Sequence, residues 1–62
     1  MQSTLAELSS GGSQLEDLTR RVVDAARAYE GVGREDVAHE LFEVERSLRA
    51  ATRRLERASR SA

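Results

Sequence analysis

The sequence predicts an all-α fold: an antiparallel two-helix hairpin that dimerises into a four-helix bundle, or antiparallel coiled coil. Three observations carry that expectation. Val37, Leu41, Val44, Leu48, Ala51, Leu55, Ala58 and Ala62 alternate steps of four and three. That spacing holds apolar side chains on one narrow stripe of a helix, as a seam facing another helix requires. Leu15, Leu18, Val22, Ala25 and Tyr29 repeat the pattern upstream, and Gly31-Val32-Gly33 separates the two runs. Finally, Val23 and Phe42 lie off their seams, each about 100° around the helix from the preceding seam residue, and with Ala26 and Ala38 they widen both stripes. Wide stripes suit helices that face two neighbours in a bundle.

Taken in order, residues 1–12 read as a flexible or short helical segment. Thr4 and Glu7 form a weak capping box, and Leu8 stands seven residues before Leu15, in its heptad phase. Ser13-x-x-Glu16 is a stronger capping box, so the first helix is expected over 14–30 with Ser13 as N-cap. Glu16 and Asp17 in its first turn suit the helix dipole. Gly31 is expected as the residue just past its end. The turn 31–33 is short enough to make the flanking helices antiparallel neighbours. The second helix is expected over 34–60, led by Glu35 and Asp36. At 1.5 Å per residue the arms are about 25 Å and about 40 Å long, which leaves Leu55, Ala58 and Ala62 overhanging. Folding about the turn sets Val22 near Val44 and Leu18 near Leu48.

Composition bounds the function. With 62 residues, no cysteine and only two aromatic side chains, a lone hairpin would bury little, and neither disulfides nor a zinc knuckle can help. A second copy is the simplest source of further burial. No basic, apolar leader opens the chain and no apolar run approaches a membrane span, so a cytoplasmic protein without membrane partners is expected. All ten basic residues are arginine, which together with abundant alanine hints at a GC-rich bacterial genome.

Charge is split along the chain. Residues 1–45 carry ten acidic residues against four arginines, and residues 46–62 carry six arginines against Glu56 alone. Pairs at i,i+4 (Glu16 with Arg20, Asp17 with Arg21, Glu45 with Arg49, Glu56 with Arg60) absorb part of it. In a parallel dimer of the second helix Glu40 would lie beside the partner's Glu45. An antiparallel dimer centred near Leu48 instead sets Glu40 against Arg54, so antiparallel pairing is expected.

Arg46, Arg49, Arg53, Arg57 and Arg60 form a stripe that could contact an anionic partner. An acidic pI near 5.8, with no lysine and no interleaved aromatics, ranks nucleic acid behind a protein partner. Asp36, His39, Glu40 and Glu43 share helical spacing, but His39 is the only histidine and the group points away from the seam. No catalytic residue, metal site or cofactor is therefore expected. The functional expectation is a small non-enzymatic protein–protein interaction module, an adaptor, regulator or assembly subunit acting as a homo-oligomer. Its interface would comprise Leu15, Leu18, Val22, Val23, Tyr29, Val37, Leu41, Phe42, Val44, Leu48 and Leu55. Another helical protein is the next candidate partner. The alternatives are a nucleic-acid-associated regulator using the arginine stripe, or a coiled-coil subunit of a larger assembly.

Overall fold

The computed structural model describes residues 4–61; Ala62 of the expected seam lies outside them. Two helices, α1 (Thr4–Gly31) and α2 (Glu35–Ser61), pack against each other as a hairpin. They contain 28 and 27 residues, so the arms are nearly equal. The hairpin expected from the sequence is thus present, with one boundary moved: α1 begins at Thr4, not at Ser13. Ser13 does not cap a helix start; its hydroxyl donates to the Ser9 carbonyl one turn back, at 3.5 Å.

Continuity through Gly11-Gly12 has a tertiary cause. Two helical glycines cost roughly 0.5–1 kcal/mol each relative to alanine. Extending α1 brings its first three turns alongside the end of α2, where Leu8 and Leu55 both become half-buried. Leu55 lies over the glycine pair: a Cβ added to Gly11 would meet its Cδ2 at 3.7 Å, and one added to Gly12 at 3.9 Å. Leu55, expected to overhang, is therefore covered by its own chain, while Ala58 stays exposed.

The turn closes through backbone bonds. Arg34 N–H donates to the Tyr29 carbonyl (2.9 Å) and Gly33 N–H to that of Glu30 (3.0 Å). This pair of bonds is the Schellman arrangement, and it places Gly33, not Gly31, in the left-handed position, with φ of +79°. Gly31 is the last helical residue, with open space where its Cβ would stand. Opposite outcomes follow for two neighbouring substitutions. Gly31→Ala should stabilise by about 0.4–1 kcal/mol, whereas Gly33→Ala should destabilise by about 1–2 kcal/mol. Thermal unfolding of the two variants checks the assignment, and equal effects would refute it.

At the start of α2, the Arg34 guanidinium forks onto the Asp36 carboxylate through Nε at 3.1 Å and Nη2 at 3.2 Å. That bond, aided by the Val37 amide, holds the Asp36 carboxyl below its ordinary range. Its stabilising effect is present above that range and lost as acid protonates the group.

The line of contact between the helices does not follow the expected seam. With Leu15 and Leu48 placed at heptad position a, the rows pressed between α1 and α2 are a and e. The a row supplies Leu8, Leu15 and Val22 from α1 and Leu41, Leu48 and Leu55 from α2, all half-buried. The e row supplies Gly12, Thr19 and Ala26, and Ala38, Glu45, Thr52 and Ser59, and it holds the most buried residues: Ala26, Ala38 and Thr19. Small side chains at all of these e positions but Glu45 let the two backbones approach. Buried hydroxyls are satisfied within their own helices, Thr19 on the Leu15 carbonyl (2.7 Å), Thr52 on Leu48 (2.9 Å) and Ser59 on Leu55 (2.9 Å). Relative to an a/d seam, each helix is rotated by about 50°, at 100° per residue.

Candidate interaction surface

Rotation onto the a/e line leaves the d row outside the hairpin. Leu18 and Val44 are each 44% exposed, Ala51 and Ala58 are exposed, and Ala25 and Val37 are half-buried. Tyr29, an a residue beside the turn, is 41% exposed. The helices are antiparallel and both right-handed. Residues displaced in the same rotational sense from the contact line therefore emerge on the same side of the hairpin. The d rows of α1 and α2 accordingly form one continuous apolar face.

The opposite face is mixed: toward the open end it holds a recess lined by Leu5, Leu8 and Leu55 together with Ser9, Ser13 and Arg60, and its middle is polar. A groove there is lined by Glu16, Thr19 and Arg20 from α1 and by Arg49, Thr52, Arg53 and Glu56 from α2. Val23 and Phe42 stand on this second side, near the turn, both half-buried. The expected interface is thus divided: Leu15, Leu18, Val22, Tyr29, Val37, Leu41, Val44, Leu48 and Leu55 border or form the apolar face, while Val23 and Phe42 flank the contact line from behind.

The arginine stripe is divided too. Arg46, Arg49, Arg53, Arg57 and Arg60 are all exposed. Arg49 pairs with Glu45 at 2.7 Å and Arg46 with Glu43 at 3.3 Å. Only Arg49 and Arg53 enter the polar groove, where Arg20 joins them. Arg20 could not be added to the stripe from spacing alone, because its place depends on how the helices register. Arg20 is itself held by Asp17 at 3.2 Å, not by Glu16, and Asp17 also pairs with Arg21 at 2.9 Å. With Glu16 and Glu56 in the same groove, its charge is largely internally balanced.

Near the turn, Asp36 is occupied by Arg34 and Glu43 by Arg46, while His39 is exposed. Among the described residues, no group of three or more His, Cys, Asp or Glu side chains could hold a metal ion. No helix among them is long and apolar enough to cross a membrane.

The hairpin has little core of its own. Among the described residues no large side chain is fully buried, and the only buried apolar residues are two alanines. The accessible surface is 4841 Å². A compact monomer of 6.9 kDa exposes about 4000 Å² by the usual mass scaling. The excess, roughly 800 Å², follows from the elongated shape of a single helical hairpin, 49 × 16 × 12 Å. Comparison with protein-family models, curated proteins and solved structures finds no match for this chain.

Proposed function

We propose that the chain is a small protein–protein interaction module that acts by its surface and not by catalysis, in the cytoplasm, as a homodimeric helical bundle. The observation that carries this reading is the continuous d-row face, exposed after the hairpin has satisfied its own contact line. A polypeptide that needed only to fold as a hairpin would have no use for Leu18, Val44 and Tyr29 on that side. Contiguous apolar faces on small proteins mark partner surfaces. Burying an additional Leu or Val contributes roughly 1.5–3 kcal/mol, a large share of what a 62-residue chain can hold. An adaptor, regulator or assembly subunit would use such a bundle to present its polar faces to other proteins.

The test is the mass in solution. Size exclusion with light scattering at micromolar concentration should give at least twice the 6.9 kDa chain mass. A helical, cooperatively melting monomer under those conditions would end the reading.

A further inference from the structure

The hairpin turns the charge split of the sequence into a difference between its two ends. The turn-proximal segment, residues 22–45, holds seven carboxylates against Arg27 and Arg34. The remaining residues hold eight arginines against Glu7, Glu16, Asp17 and Glu56. The hairpin stacks each set at one end of a body 49 Å long and 16 by 12 Å across. The contrast is carried by α2, acidic toward the turn through Glu35, Asp36, Glu40, Glu43 and Glu45 and basic toward the open end through six arginines against Glu56, while α1 is weakly acidic along both halves.

We propose that the apolar d-row face is covered by a second copy whose turn lies at the opposite end, so that α2 packs antiparallel on α2 and α1 on α1. The inference rests on the homodimer reading and adds its geometry. Two hairpins meeting face to face about a twofold axis have two choices. With turns at the same end, α1 lies on the other copy's α2, and the acidic half of each α2 adjoins the weakly acidic turn half of α1 in place of a basic partner. With turns at opposite ends, the acidic half of each α2 adjoins the basic half of the other copy's α2. Packed helices are 8–10 Å apart, close to the ~8 Å screening length at physiological salt, so flanking charges of neighbouring helices still sense each other. Glu40 and Arg54 illustrate the choice. Both are exposed, and they stand on the rim of the d row on either side of Ser47. Antiparallel α2 helices centred near Leu48 bring each Glu40 to the other copy's Arg54.

The same geometry fixes which residues meet. Leu55 lies beside Gly11 and Gly12 within the hairpin, and counting back along both helices places Leu18 level with Leu48. A twofold axis near Leu48 therefore sets Leu18 against Leu18 of the second copy. The chain has no cysteine, so single replacements report contacts cleanly. Oxidised Leu18→Cys should run predominantly as a covalent dimer, because a disulfide requires Cα atoms roughly 4.4–6.8 Å apart. Turns at the same end would put Leu18 near Ala51 of the other copy. Leu18→Cys would then fail to link to itself but would link to Ala51→Cys when the two are mixed, and the proposed orientation would be overturned. Light scattering on the reduced variants separates the questions, since a monomer removes the homodimer itself and not only its geometry. A second measurement needs no cysteine: Glu40→Arg should weaken dimerisation about two- to fivefold and adding Arg54→Glu should restore it. Tighter dimerisation of Glu40→Arg alone would favour turns at the same end.

Discussion

Leu48→Ala is expected to destabilise the protein by about 2–5 kcal/mol per copy, the range for emptying a leucine site in a packed interior. Leu48 is half-buried in the single hairpin, on the a row between the contact line and the apolar face. The hairpin alone accounts for the lower end of that range, and coverage by a second copy moves it toward the upper end. For a chain this short each kcal/mol shifts the melting temperature by about 4–8 °C. A fall of about 10 °C or more is therefore expected at concentrations where the dimer forms. Arg46→Ala is the control. Its side chain is 80% exposed and its pair with Glu43 is solvated, so it should change stability by no more than about 0.5 kcal/mol. Equal effects would mean that the a row does not carry the packing.

Ala26→Leu is expected to have the second largest effect. Ala26 is 0% exposed and sits on the e row where the helices approach most closely. A leucine there must push α2 away or leave its preferred rotamer, at a cost of about 1–3 kcal/mol. The same substitution at Ala51 makes the comparison decisive. Ala51 is an exposed d residue, so Ala51→Leu should leave the hairpin's own stability within about 0.5 kcal/mol. It should also add apolar area to the face that a second copy covers. Denaturant unfolding below and above the dimer dissociation constant distinguishes the two contributions. If Ala51→Leu destabilised the hairpin and Ala26→Leu did not, the contact line would be a/d after all.

The two helices, the glycine turn and the antiparallel pairing were legible because each rests on a local or periodic signal. Apolar residues in three-four alternation define a helical stripe wherever they occur, and a glycine-bounded break of three residues leaves little freedom for the chain to do anything but reverse. Register was legible for the same reason, since the chain length around a tight turn sets which levels face each other. Local signals also misled. Ser13-x-x-Glu16 after two glycines has every mark of a helix start. Yet α1 continues through it, because a capping box is worth about 1 kcal/mol and lining the end of α2 with three more turns offers more.

What the sequence by itself determined is that this chain forms two amphipathic helices and reverses between them, with more apolar surface than one helix pair can use. What only the tertiary structure decided is which part of that surface each neighbour takes. Periodicity specifies the stripe but not the angle at which two stripes meet. That angle follows from close packing: the small residues Gly12, Thr19, Ala26, Ala38, Thr52 and Ser59 fill the e row from Gly12 to Ser59, interrupted only at Glu45, and let the backbones approach along it. An a/d contact would instead have met the bulk of Leu18 and Val44. Close approach gathers more dispersion contacts per residue, so the helices turn their small side inward. The larger d residues Leu18 and Val44 are left on one outer face, and the acidic and basic halves of α2 lie at opposite ends of the hairpin.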